Sequence, residues 1–538
     1  MARLSLLSVA ALLLPSLAHA EDFYVDPSRG SPDGDGSFER PWRTLQEVVE
    51  AGLIETRHWA DLPYDPGDAL EPVNPGAPIG PGDTIWLADG YHGELVVRGA
   101  NNEAPITIAA MAGHTPRLRR VSLVAAQRWI LRGLSISPSY GDPYDRTTIV
   151  SIESHGYHGP SAEVVIENCT IFSVEDASAW TADDWVANAC DGVTADGESI
   201  VVRGNTITNV RFGISMSGPN ALVSRNSVRN FSGDGMRGLG DYGVFEYNYV
   251  ANAYAVDDNH DDGFQSWSVG PGGVGTGEVR GVVLRGNVIV NYEDPAQPMR
   301  STLQGIGCFD GFFVDWVVEN NVVITDHWHG ITLLGARDSR IVNNTVIDPN
   351  ADRPGPPWIS VGPHKDGRPS ERVVVRNNLV TDLSLEGDGI TEDHNLVVED
   401  ASAFFVAPDA PWDLHLLPDA PAVDTGSAEL APPVDLDGIP RPQGAAVDVG
   451  AYEWHEPGVL PIDAGAMPRA DGGLVPDAGS IRDASARADG GAPPAPAGCG
   501  CRAPARSSAR LSACLALALL AWHVRGRRRS RERAARAR

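Results

Sequence analysis

The chain of 538 residues is almost without lysine: Lys365 stands alone against many arginines. A guanidinium keeps its proton where an amine can be tuned into a base, so Lys365 is the one side chain of that kind on offer. Cysteine is scarce as well. There are six, with Cys169 and Cys190 placed 21 residues apart and Cys308 by itself. A disulfide framework is therefore not what holds this fold. Positive charge is short: Lys and Arg number 42 against 71 Asp and Glu, a formal net charge of −29. Eight of the arginines crowd into residues 525–538, so the rest of the chain is more acidic still. Such a body excludes wrapping of nucleic acid phosphates and suits the holding of cations. The apolar run at 511–524, broken by His523, is shorter than the roughly 20 residues that cross a bilayer.

What is present is a repeat. A template of apolar, two residues, Asn, one residue, apolar runs through Val202-Arg-Gly-Asn205-Thr-Ile207 and recurs at Asn226, Asn248, Asn287, Asn321, Asn344 and Asn378. Looser copies carry Cys169 and Leu134 in the Asn slot. Successive Asn positions lie 21, 22 and 23 residues apart, or 34 to 39 where a loop is inserted. A second element, Gly192-Val193, Gly213-Ile214 and Gly235-Met236, precedes the Asn at an offset of 13. Two strand segments per period, β-branched residues and turns rich in Gly, Asn and Asp predict an all-β solenoid. The repeated Asn is expected to stack in a hydrogen-bonded ladder and to take left-handed backbone at its turn.

The ends of the repeat mark the organisation. Residues 1–20 read as a secretory leader: Arg3, an apolar run, then Ala18-His19-Ala20. The solenoid domain is expected over 21–455. Trp42 to Ala51 has helical spacing and predicts a capping helix, and Gly82 to Leu87 is the first clear strand. The pattern breaks down after Val397. Residues 456–498, rich in Ala, Asp, Gly and Pro, predict a disordered linker, and 499–538 a short apolar and basic tail.

One stretch departs from the repeat. Asp257, Asp258, Asp261 and Asp262 surround His260 just before the alternating Phe264-Gln265-Ser266-Trp267. Packed like charges are costly unless a cation or a proton offsets them. Asp-rich turns supply the oxygens calcium takes, and His260 is the side chain that accepts a proton near neutral pH. The register predicts Met236 and Phe264 facing in, and Arg237, Gln265 and Trp267 facing out. With coils about 4.8 Å apart, Asp234 is expected beside Asp261 or Asp262. His329 precedes a Gly at the same point of its coil and is expected on the same face. Trp267, Trp328 and Trp358 are candidates for stacking sugars, with core packing the plainer reading.

The template, with Phe23-Tyr24-Val25-Asp26-Pro27 and Pro41-Trp42-Arg43-Thr44-Leu45, resembles the right-handed parallel β-helix proteins of the pectin-lyase-like superfamily over roughly residues 22 to 455. Trp412-Asp-Leu-His-Leu416, Pro421 to Gly426, Asp435-Leu-Asp-Gly438 and Asp448 to Glu453 resemble the end of choice-of-anchor Q surface proteins. Cys499-Gly-Cys501, the apolar run and the arginine cluster resemble the sorting tail of myxobacterial surface proteins, implying export and anchoring to the cell envelope. Asp261-Asp262-Gly263-Phe264-Gln265 with Asp234 is similar to the calcium site of family-nine polysaccharide lyases, Gln265 standing where that family has Asp. The resemblance implies calcium on Asp234, Asp261, Asp262 and Gln265. The family's basic Lys is missing, and Arg300 is the nearest cation. Asp258-Asn-His260-Asp261 resembles the motif in which mannuronan epimerases place a basic His.

The expectation is a monomeric, secreted, surface-anchored protein acting on an acidic polysaccharide by calcium-assisted β-elimination. His260 is the favoured base, Arg237 a second electrostatic group, Lys365 and Arg300 the alternates, and Trp267 and His329 substrate contacts. An epimerase, a glycoside hydrolase with two opposed carboxylates, and a non-catalytic glycan-binding β-helix stay open beside it.

Overall fold

The computed structural model describes residues 20–350 and 354–461. The leader, the linker beyond 461 and the tail expected from sequence lie outside the described residues. The chain winds as a right-handed parallel β-helix, each coil adding strands to parallel sheets. The first sheet stacks Thr148–Glu153, Asp191–Asp196, Ile214–Met216, Met236–Gly238, Asp262–Trp267, Gln304–Asp310, His329–Leu334, Trp358–Gly362 and Asp382–Leu385. A second stack, joined to the first through the long strand Val121–Arg132, runs from Ala162–Glu167 to Thr391–Asp393, and a third sheet of twelve strands runs from Gly90–Tyr91 to Leu396–Val397.

Alternation along each short strand sends one side chain into the bore and the next out. Val193, Ile214, Met236, Phe264, Ile306, Ile331 and Ile359 form one inward column, all buried. Each such side chain contributes about 1.5–3 kcal/mol by leaving water.

The asparagine ladder is present. Asn205 Nδ2 donates to Asn226 Oδ1 (2.9 Å), and the chain of bonds continues through Asn248, Asn287, Asn321, Asn344 and Asn378 to Asn395. Each Oδ1 also accepts the backbone N–H of the preceding rung. Cys169, in the slot by sequence, closes the row by donating its backbone N–H to Asn205 Oδ1. The left-handed bend differs from expectation by one residue. It falls on the position before each rung: Arg225, Tyr247, Asn320, Asn343 and Asn377 have φ of 54 to 57°, and Gly204 and Gly286 occupy the same place. The bend releases the next residue into regular backbone, so the rung itself points its amide along the stack.

Both ends hold more structure than the repeat shows. Asp22–Val25 pairs in parallel with Thr84–Leu87, so the first coil starts before the strand expected at 82–87. Helix α1 (Leu45–Glu50), capped by Thr44, closes that end with buried Leu45 and Val48. Beyond Val397 the chain returns along the outside of the third sheet. Asn320, Asn343 and Asn377 donate to Val434 O, Asp448 O and Ser427 O at 2.8, 3.0 and 2.8 Å. Phe405, Leu414, Leu416 and Val449 cover the outward Val290, Val322, Ile324, Ile347 and Leu379.

Inserted loops build a wall. Helix α2 (Ala182–Asn188) starts with a capping box between Thr181 and Asp184. Its Trp185 stacks on Tyr254 at 4.8 Å, and Trp180, Val256 and Met299 join the same cluster. The wall anchors the loop that leads into the acidic turn at 257–262.

Candidate active site

The strand Met236–Gly238 pairs with Asp262–Trp267, Arg237 lying opposite Gln265. That register carries the preceding residues along, and the Asp262 backbone N–H donates to Asp234 Oδ1 at 3.1 Å. Asp234 and Asp262 are both buried, at 1% and 0% exposure. His260 Nδ1 meets Asp262 Oδ2 at 2.9 Å, and Gln265 Nε2 donates to the same oxygen at 3.0 Å. Among the described residues Asp262 Oδ1 is buried without a hydrogen-bond partner, as is Oε1 of Gln304, its register neighbour on the next coil. There is room for that free oxygen because residue 307 is glycine: a Cβ there would stand 2.2 Å from it.

The electrostatics follow from burial. Desolvation raises the Asp262 carboxyl, partly opposed by the His260 bond, while that same bond raises His260. Asp261 is pushed up to about 7 by burial, with the Ser301 hydroxyl pulling the other way. His260 remains largely exposed, so its ring has one nitrogen fixed by a buried acid and an edge toward solvent. That is the arrangement by which an acid orients a basic imidazole.

Arg237 is fixed on both faces of its function. Its Nε contacts Asp234 Oδ2 at 2.5 Å, and its guanidinium lies 3.6 Å from the Phe212 ring centre and 5.5 Å from that of Trp267. One edge is thus held by a buried carboxylate while the other is presented between aromatic rings.

Other expected residues fall differently. Asp261 takes a hydrogen bond from Ser301 Oγ at 2.6 Å. The proposed calcium ligands therefore do not converge: Asp234 is committed to Arg237, Asp261 to Ser301, and Asp262 to His260 and Gln265. Among the described residues no group of three or more His, Cys, Asp or Glu is placed to hold a metal ion. Each of these carboxylates is engaged by a protein group, and the chemistry below uses the chain's own residues alone. Arg300 is off the face, its guanidinium 4.5 Å over Tyr292. Lys365 binds both oxygens of Asp310 at 2.8 Å, and Asp310 lies opposite Trp267 in register, so Lys365 stands at the rim as half of an exposed ion pair. His329 does reach the face: it pairs with Trp358 in register, bonds Thr332 at 2.9 Å and packs on Phe309. Burial lowers both His329 and His327, the latter to about 4, and His260 nearby adds to the effect. Burial thus favours the uncharged form of both rings.

Three participants were not singled out from sequence. Phe212 and Gln304 occupy the Asp234 and Asp262 row, where register alone finds them. Gly307 has no signal until the carboxylate beside it is seen.

Residues 146–351 match the family model described as right handed beta helix region. No curated protein matches the chain. Among solved structures it is similar to a pectate lyase at 15% identity, covering 81% of this chain and 97% of that one with a TM-score of 0.39. A rhamnogalacturonan lyase follows at 13% identity, 74% and 97% coverage and a TM-score of 0.36. A mannuronan C-5 epimerase module from Azotobacter vinelandii has 12% identity, 58% and 90% coverage and a TM-score of 0.34. None of these likenesses bears on the side chains described above.

Proposed function

We propose that the protein is an exported polysaccharide-active β-helix that removes a proton from a uronate-containing chain, with His260 as base and Arg237 as receptor of the uronate carboxylate. The observation that carries this reading is the 2.9 Å bond from His260 to buried Asp262, beside an arginine fixed by Asp234. A proton α to a carboxylate is weakly acidic, and its removal becomes feasible when the carboxylate's growing charge is met by a fixed cation. Arg237 does here what calcium was expected to do. Once the proton has moved to His260, the electron pair either expels the glycosidic oxygen at C4, which takes a proton from water and leaves an unsaturated sugar, or takes a proton from water on the opposite face and inverts C5. Asp262 holds the ring through both outcomes and stabilises the imidazolium.

The test is product chemistry on polygalacturonate, alginate and hyaluronan, following ultraviolet absorbance of unsaturated ends and C5 stereochemistry by NMR. His260→Gln should lower kcat by about 10²–10⁴-fold. Undiminished turnover in that variant removes His260 as base. New reducing ends without unsaturation or inversion would replace the reading with hydrolysis.

A further inference from the structure

Arg211 and Arg237 approach one aromatic ring from successive coils. Their guanidinium carbons lie 4.7 and 3.6 Å from the centre of Phe212. The ring is seated by its neighbour in the next coil: a Cβ on Gly233 would stand 2.4 Å from it. Arg128, Arg132, Arg285, Arg372 and Arg376 are each tied to a carboxylate. Arg211 is not; its guanidinium has no hydrogen bond or ion pair among the described residues. The acid close by is Asp191, whose ionised form Arg211 and Arg237 favour while burial opposes it. Among the described residues Asp191 makes no ion pair with Arg211, and Asp234 is the carboxylate paired with Arg237. Arg211 is thus a stacked guanidinium with its donors unused, sharing one ring with the arginine that Asp234 holds. An unpaired guanidinium fixed on an aromatic face is suited to an anionic partner from outside.

We infer that Arg211 and Arg237 form a two-point anion receptor across adjacent coils, so that the ligand is a polyanion with acid groups on neighbouring units. The Phe212 ring, 4.7 Å from one guanidinium and 3.6 Å from the other, sets the step between the two points. Arg211 keeps its planar donor edges, and Arg237 the edge away from Asp234, for contact with carboxylate. The inference builds on the reading that Arg237 receives a uronate, and it adds that one carboxylate is not enough. It predicts that binding extends from His260 toward the coil of Arg211, with a uronate on each side of the Phe212 ring.

Binding is measured apart from turnover. The full chain carrying His260→Gln is run by affinity electrophoresis in gels containing polygalacturonate, alginate or neutral dextran, at low and high ionic strength. Retardation by at least one of the two polyanions, absent with dextran and relieved by salt, is expected. Adding Arg211→Gln should weaken it about tenfold, Arg211→Lys less, and Arg372→Gln on an exposed loop not at all, with circular dichroism confirming the fold of each. Arg211→Gln binding as its parent does, dextran binding equally well, or no polyanion retarded would each overturn the receptor. Activity surviving in His260→Gln would count against the base and leave the receptor standing.

Discussion

Replacing Asn321 by Ala cuts the asparagine ladder at its middle. Asn321 Oδ1 accepts Asn287 N–H at 2.9 Å and Asn287 Nδ2 at 3.0 Å, while its own Nδ2 donates to Leu284 O and Asn344 Oδ1, both at 2.9 Å. Asn287 Nδ2 keeps Phe245 O, and Asn344 Oδ1 keeps the backbone N–H of residue 321. The Asn287 backbone N–H keeps no partner and lies too deep for water. One stranded donor costs about 1–3 kcal/mol and each of the three other lost bonds about 1 kcal/mol, so the substitution should cost about 4–6 kcal/mol. Asn395 ends the ladder, half-buried, accepting from Asn378 and donating to Val375 O. Water replaces those partners, and Asn395→Ala should cost about 1 kcal/mol. Urea denaturation compares the two, and amide exchange reports whether protection at residue 287 falls first. If Asn321→Ala costs no more than Asn395→Ala, the ladder is decoration on a fold held by its bore.

Gly307→Ala pushes a methyl group into the space of Asp262 Oδ1, and should lower kcat about a hundredfold with KM little changed, while unchanged kcat would detach that carboxylate from the chemistry. Arg441→Ala leaves Glu453 buried and uncompensated, 1% and 0% exposed as the pair is, and should destabilise the protein by about 3–5 kcal/mol in chemical denaturation. His415 is raised to about 9, chiefly by Asp437 and also by Asp413. Its stabilising effect is full below about pH 6.5 and fades as pH rises toward 9, so His415→Ala should abolish one component of the alkaline decline in melting temperature. Nearly half of the side chain faces solvent, which keeps that component small.

The regular part of the molecule was legible because every coil repeats the same physical problem. Ladder rungs, inward column and outward Arg237, Gln265 and Trp267 all follow from period and alternation. The register alone also brought Asp234 and Asp262 together. What escaped has a single copy. Helix α2 and the return segment after Val397 solve local burial problems that no other coil shares, although the Thr181–Asp184 capping box was a readable sign of the helix. Asp261 was read as a ligand, yet its direction depends on Ser301, 40 residues later on another loop. Arg300 has the right charge, but its loop lays it on Tyr292.

The return segment changes how the solenoid yields. In a simple stack each coil holds only its neighbours, so opening at one end travels inward one coil at a time. Asn320, Asn343 and Asn377 come from three successive coils and all donate to backbone carbonyls of one outer strip. Those coils are braced like rungs nailed to a common rail, and one cannot peel away without lifting the rail from the others. The coils toward the chain's end should then melt as a block, while those before Asn287, which make no bond of this kind to the strip among the described residues, should open earlier.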